Sequence, residues 1–390
     1  MSNRTKTAID KNMPIIQKWL NGIDDNNQKL TFTLSNVDMC FANAIRRTIL
    51  SDIDVVCILS DKFERNQVSI ETNTGRLHNE ILKHRLSCIP IHFNGDRDDM
   101  DEFCKNYVLR VDCSNNDDKN EMKIVTTEDF KVFHKETADK YQIQVGKELF
   151  RFCSITKRYI DFSRLRPKIS DTIPGEVLKF SANFSISNAK DNAMYNVVSK
   201  CTYSNTIDTV RAKKKRDELE AEHRSKGLSE AEIEFEKTNF DNLDAQRYFI
   251  ENSFDFVIEG LDIFPNIKLL NLSCQTLIGK FNKIIEEIKE KKVPILSSET
   301  TMKNSFDIIL VNEDYTIGKV IEYILYTNCY AVKNPTLNFC GFKKFHPHDA
   351  KSTIRIAFVA DEDLNPAQLL KDACEHAIVI FEHIKLMVKE

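Results

Sequence analysis

The sequence predicts an α+β fold: two units of strands plus long packed helices share one chain, and a β-rich domain is inserted into the first. Three observations carry this. FANAIRRTIL places Phe41, Ala44, Ile45 and Ile49 at the i, i+3, i+4 spacing of a helix with one apolar stripe. NEDYTIGKVIEYIL does the same with Ile317, Val320, Ile321, Ile324 and Leu325. Between them, residues 93–200 break into short β-like runs rather than helical ones. Each stripe needs cover, and if the two helices face one another a single polypeptide carries both halves of a helix-to-helix interface.

Taken in order, QKLTFTL at 28–34 alternates as a strand. Ser35, Asn36 and Asp38 then supply turn and N-cap chemistry for a helix over 39–51. A strand is expected at 68–72, and a helix over 78–86 that must stop before Pro90. The inserted runs are Tyr107 to Val111, Lys123 to Thr126, Ile155 to Asp161 and Val177 to Ile186.

Residues 211–238 change character, with eight basic and eight acidic side chains. Ser229 and Glu232 form a capping box, Leu228 and Ile233 can staple across it, and Gly227 breaks the run into a helical hairpin. A mixed charge run of this kind reads as a solvated surface excursion, with a docking arm as the alternative.

The chain then returns with a strand from Ser253. A long helix over 266–291 follows, its stripe running through Leu270, Cys274, Leu277, Ile278, Phe281, Ile285 and Ile288 until Pro294 ends it. A polar linker leads to a compact unit: strand 306–311, helix 316–327, strands near 337–342 and 352–360, and a terminal helix over 366–388. Asn365, Pro366 and Gln368 mark that last start.

At 390 residues the chain can hold two or three domains. Its eleven cysteines are scattered without a C-x-x-C pair, which reads as reduced thiols of a cytosolic protein. No apolar run approaches a membrane span, and MSNRTKTAIDKN lacks the apolar core of a signal peptide, so a soluble intracellular protein is expected. A net charge of −4 opposes a surface that tracks many phosphates by itself and favours protein partners.

FANAIRRTIL followed by VSIETNTGRLHNEILKHRLSCIPIHF resembles the larger α-like subunit of cellular RNA polymerases, called D in archaea, with its A-N-x-x-R-R helix and H-R-L-x-x-I-P segment. Residues 164–203 resemble the same subunit's strand pair leading into its G-x-A-x-x-H-A-K-x-x-P loop, although SISNAKDNAMYNVV lacks the His, Gly and Pro. Residues 305–390 resemble the small α-like subunit, L in archaea. Its E-D-H-T-L-G-N and G-Y-x-x-P-H-P motifs stand here as Glu313 to Lys319 and Gly341 to Pro347.

The resemblance implies a fusion of the eukaryotic third- and eleventh-subunit pair, of a kind associated with large DNA viruses. It implies an N-terminal extension at 1–27, a D-like dimerisation domain at 28–92 and 251–294, and an inserted β-rich domain at 93–204. A charged excursion at 205–250, a linker at 295–304 and an L-like dimerisation domain at 305–390 complete the division.

The dimerisation interface would use Phe41, Ala44, Ile45, Ile49, Ile317, Val320, Ile321, Ile324 and Phe381. Docking of the catalytic subunits would fall to Asn43, Arg46, Arg47, His84 and Arg85. Guanidinium forks suit a carboxylate or carbonyl partner on such a subunit, with an internal salt bridge as the alternative. The implied role is a non-catalytic platform for the two largest subunits of a DNA-dependent RNA polymerase, reaching DNA and RNA only through the complex. It would be cytoplasmic, or packaged in a virion if viral.

No nucleotide-binding or nucleophile motif is present, and no aspartate triplet of the kind that holds polymerase magnesium. His346, His348 and Asp349 are a close set of metal-ligand types without a second pair nearby, and Cys104 and Cys113 stand alone where relatives carry a metal loop. No metal or cofactor is therefore expected, and Asp24-Asp25 and Asp98-Asp99 read as solvated loop residues. Two rival readings remain, a free-standing helical adaptor acting through residues 205–250 and, more remotely, a metal-dependent enzyme. Co-purification separates the first from the polymerase reading, and metal analysis disposes of the second.

Overall fold

The computed structural model describes residues 13–17, 29–116, 121–136, 143–153, 155–170, 172–298, 302–360 and 365–388. Asp24 and Asp25 lie outside them. Contacts divide the chain into two compact units. One comprises Met1–Ile49, Lys200–Glu259 and Asn266–Glu390, the other Leu50–Ser199 and Gly260–Pro265.

The first unit opens with β1 (Ile15–Gln17) paired antiparallel to β2 (Lys29–Ser35). Asn36, at a φ of 58°, takes the left-handed conformation that a short polar side chain tolerates. The Asp38 carboxylate then accepts the Cys40 N–H at 2.8 Å, starting α1 (Met39–Ser51) as the sequence predicts.

The second unit follows. Its elements are β3 (Val55–Cys57), β4 (Val68–Asn73), α2 (Asn79–Ser87), α3 (Arg97–Asn106), β5 (Tyr107–Ser114), β6 (Lys123–Thr126), β7 (Lys131–His134), α4 (Ile143–Leu149), β8 (Asp161–Leu165), β9 (Val177–Asn183) and β10 (Ser185–Ser187). The main sheet runs β4-β9-β5-β7, beside the pairs β6-β8 and β10-β3. Alternate residues of β5 and β9 face inward, and Phe130 meets Phe162 and Phe180 edge-on at 5.3 and 6.0 Å in the core.

β3 and β4, which precede residue 92, pair with β10 and β9 of the inserted stretch. Two expectations are amended in this unit. Ile155 to Asp161 is not a strand. It is a turn closed by a bridge between Cys153 and Arg158, and the strand begins at Asp161. Asp98 and Asp99 are helical: Asp96 caps α3, and the Asp99 carboxylate accepts the Asp96 N–H at 3.0 Å.

The chain re-enters the first unit through β11 (Val198–Ile207), the hairpin α5 (Thr209–Ser225) and α6 (Glu230–Asn242), β12 (Phe249–Gly260) and α7 (Asn266–Lys289). Gly227 joins the hairpin at a φ of 76°, and the Ser229–Glu232 capping box forms. Then come β13 (Ile295–Ser297), β14 (Ser305–Val311), α8 (Tyr315–Leu325), β15 (Leu337–Lys343), β16 (Lys351–Phe358) and α9 (Pro366–Met387). One sheet runs β1-β2-β12-β11, the other β13-β14-β16-β15.

Residues 295–297, expected within a linker, instead form the edge strand β13, with Ile295 opposite Ile308. Helix α8 ends at Leu325 and passes into one wide turn at Tyr326–Tyr330. Opposite pairs Leu30–Ile258, Phe32–Phe256 and Leu34–Phe254 turn one face of the first sheet inward, all of them buried. Over this core α7 and α9 pack together, and Phe281 stacks with Phe381 at 6.0 Å.

Candidate protein-interaction site

The region singled out by the two stripes lies within the first unit. Phe41, Ala44, Ile45 and Ile49 on α1 are buried, as are Ile317, Val320, Ile321 and Ile324 on α8 and Phe381 on α9. Contact between the separate segments is direct. The Phe41 ring meets Tyr323 edge-on at 5.8 Å and Phe381 at 5.6 Å, so side chains from α1, α8 and α9 share one aromatic cluster.

A polar clasp borders the cluster. Arg47 Nη2 donates to Asp314 Oδ2 at 2.6 Å, and its Nε donates to Thr316 Oγ1 at 2.8 Å. Asp314 is also the N-cap of α8, its Oδ1 accepting the Thr316 N–H at 2.8 Å. Burial pushes this carboxyl's pKa up, but the Thr316 N–H, the Thr316 hydroxyl and the Arg47 charge outweigh it and hold the group below its ordinary value.

Gly318 lies one turn into α8 because nothing larger fits. A Cβ there would come within 2.0 Å of the Phe342 ring on β15. The residue that the motif supplies therefore sets how closely helix and strand approach.

The residues expected to dock catalytic subunits are divided between the two units. Arg46 on α1 donates through Nε and Nη2 to Asn43 Oδ1 at 3.2 and 2.9 Å, one turn away. His84 and Arg85 are exposed on α2 in the other unit, where Arg85 Nη2 donates to the Asp161 carbonyl at 2.9 Å. Arg47 is held by Asp314 and Thr316, which is the internal pairing weighed as the alternative.

Beside Asn43 opens a groove of about 490 Å³ lined by Met39, Cys40, Asn43, Tyr203, Tyr323 and Tyr326. Burial pushes the pKa of the Cys40 thiol in this lining well up. Tyr323 on α8 and Tyr326 just after it stand three residues apart, but no spacing in the sequence joins them to Tyr203 on β11. His346 and His348 lie ring to ring at 5.2 Å in an exposed loop. Among the described residues, no three His, Cys, Asp or Glu side chains come together as metal ligands.

With this geometry in place, residues 305–386 match the RNA polymerase Rpb3/Rpb11 dimerisation domain. That match covers about a fifth of the chain. Several proteins it is similar to are named as RNA polymerase subunits. It is 32% identical over 103 residues to the DNA-directed RNA polymerase II subunit rpb3 of Dictyostelium discoideum, covering 26% of this chain and 30% of that protein. Over 72 residues it is 36% identical to the DNA-directed RNA polymerase subunit Rpo3 of Pyrococcus horikoshii, covering 18% of this chain and 25% of the relative.

A longer match, 23% identical over 305 residues, joins it to the human DNA-directed RNA polymerases I and III subunit RPAC1, covering 68% of this chain and 82% of that one. The first two matches thus span less than a third of the relatives' lengths. The matched residues contain β14, α8, β15, β16 and nearly all of α9, and so contribute Asp314, Tyr323 and Phe381 to the contacts with α1. No helix among the described residues is long and apolar enough to cross a membrane.

Proposed function

We propose that this protein is a non-catalytic assembly subunit of a multisubunit DNA-dependent RNA polymerase, in which both halves of an Rpb3/Rpb11-type pair belong to one chain and dock the two largest, catalytic subunits. The observation that carries the reading is the junction of α1 with the 305–386 domain, made by the Arg47–Asp314 ion pair and the Phe41–Tyr323–Phe381 cluster. In two separate chains such a junction would be a subunit interface, and apolar side chains buried at about 1.5 to 3 kcal/mol each would hold it. Within one chain the partners meet at an effective concentration of about millimolar, so their encounter does not limit assembly.

Nucleotide addition belongs to the partners in this reading, and DNA and RNA are reached only through the complex. The exposed Arg85 and His84 and the half-exposed Arg46 and Asn43 are the side chains proposed to meet the catalytic subunits. A cytoplasmic location, favoured by the scattered cysteines, and a viral source and packaging in a virion, which rest on the resemblance of the motifs, belong to the same proposal. Purification of the tagged protein from its source tests the reading, which requires two very large subunits in stoichiometric amounts. A free-standing adaptor would be recovered without them.

A further inference from the structure

In a chain of net charge −4, residues 151–168 hold Arg151, Lys157, Arg158, Arg164, Arg166 and Lys168 against the single acid Asp161. In the second unit Arg166 is paired with Glu176 and Arg151 lies 3.9 Å from Asp262, while Lys157, Arg158 and Arg164 are the exposed cations the surface offers. At its tip Cys153 bridges Arg158, the Lys157 N–H donates to the Cys153 carbonyl at 2.9 Å, and Lys157 has a φ of 56°. A lysine in the left-handed region costs conformational energy, so the surrounding bonds must hold it there.

The stem is pinned by Thr127. Its N–H donates to the Ile160 carbonyl at 3.0 Å, and its hydroxyl accepts the Ile160 N–H at 3.2 Å. On the β6-β8 pair, Arg164 stands directly opposite Ile124 and both point to solvent. Arg85 reaches the same stretch through the Asp161 carbonyl.

Cations are only half of the surface. Ile155 is 74% exposed, Phe152 49%, Ile124 46% and Ile160 41%, with Phe152 set edge-on to Tyr159 at 5.3 Å. Exposed large apolar residues are ordinary when scattered, but grouped on one turn and its neighbouring strand they mark a contact surface. A phosphate backbone would neutralise the guanidinium groups and leave the isoleucines in water. A protein segment with carboxylates among apolar side chains would satisfy both.

We infer that this face of the second unit docks an acidic, apolar-containing segment of a partner protein, with Lys157, Arg158 and Arg164 meeting its carboxylates and Ile124, Phe152 and Ile155 covering its apolar side chains. The inference stands on the chemistry of this surface and does not require the polymerase reading.

Fluorescence anisotropy with the purified full-length chain tests it. The probes are a synthetic peptide alternating Glu with Leu and Phe, an all-Glu peptide of equal charge, and a single-stranded DNA of equal charge. The mixed peptide is expected to bind most tightly and to weaken with salt. Arg158→Glu with Arg164→Glu should weaken it about tenfold, since each exposed pair contributes a fraction of that factor. Ile155→Ser should weaken the mixed peptide and leave the all-Glu peptide unchanged.

All of these positions are exposed, so the melting transition should stay in place and report intact folding. Reversal of the exposed Lys213 and Lys214 on α5 serves as the control and should change nothing. Tighter binding of the DNA, indifference of the mixed peptide to the reversals, or an equal loss in the control would each overturn the assignment.

Discussion

Arg47 donates its guanidinium to the carboxylate of Asp314, 267 residues further along the chain, at 2.6 Å. The pair joins the helix of the first stripe to the cap of the helix carrying the second, so one carboxylate both starts α8 and anchors α1 to it. Removing either side chain disturbs the other. Asp314→Ala removes a cap and an ion pair together and should cost about 1 to 3 kcal/mol. Arg47→Ala should cost about 1 kcal/mol, because both partners remain partly exposed. In a double-mutant cycle by denaturant unfolding the double variant should lose less than the sum of the single losses. Additive losses would mean that the two groups stabilise the chain independently.

The same carboxylate makes stability depend on acid. Its pKa in the folded chain lies below the ordinary 3.8, so its contribution is fully present above that pH and is lost as pH falls through the lower folded value. Asp314→Asn should therefore be less stable than the parent at neutral pH, and the gap should close below the ordinary value. Chemical unfolding across pH 2 to 6, a range set by carboxylate titration in general, measures that gap.

Ile45 and Ile321 are both 0% exposed. Ile45→Asp or Ile321→Asp would leave an unpaired carboxylate in an apolar core, a loss of several kcal/mol against a typical total of about 5 to 15. Both variants should be insoluble or lose cooperative melting, whereas Ile45→Val should cost only about 1 kcal/mol. Soluble, normally melting aspartate variants would remove the buried stripes from the account.

At Gly318 the sign of a small change is informative. Gly318→Ala would raise helix propensity in isolation, but here its Cβ meets the Phe342 ring. The variant should lose about 1 to 3 kcal/mol through overpacking. Adding Phe342→Leu should recover part of that loss. A stabilised Gly318→Ala protein would show that helix and strand are free to separate.

Arg46 and Arg47, adjacent in sequence, should behave differently. Arg47 is tied to Asp314 and Thr316, while Arg46 donates to Asn43 on its own helix. Arg46→Ala should leave the melting transition nearly unchanged and weaken capture of a catalytic subunit by about 2 to 5 kcal/mol, as truncating a buried interface charge does. Calorimetry and quantitative pull-down together measure the two effects.

Helices with a long apolar period were legible from the sequence. The starts of α1 and α9 follow their caps at Asp38 and Asn365, and the breaks at Gly227 and Pro294 fall where backbone chemistry requires them. Short elements were less so. Helix α3 buries only Met100 and Phe103, too few for a visible stripe, and its one signal was the Asp96–Asp99 box. Ile155 and Ile160 suggested a strand because apolar residues are read as core, yet both face outward. The partners of Arg47 lie so far along the chain that no local pattern could name them; only the N-cap role of Asp314 was encoded in its neighbours.

The central claim is that this chain is the platform on which the catalytic subunits of an RNA polymerase assemble. Reconstitution of the two largest subunits with and without it, followed by nucleotide incorporation on a DNA template, measures this most directly. A stable complex containing one copy of this chain, active only when it is present, is the predicted result. An equally active and equally stable polymerase assembled without it, or incorporation by this chain alone, would contradict the account.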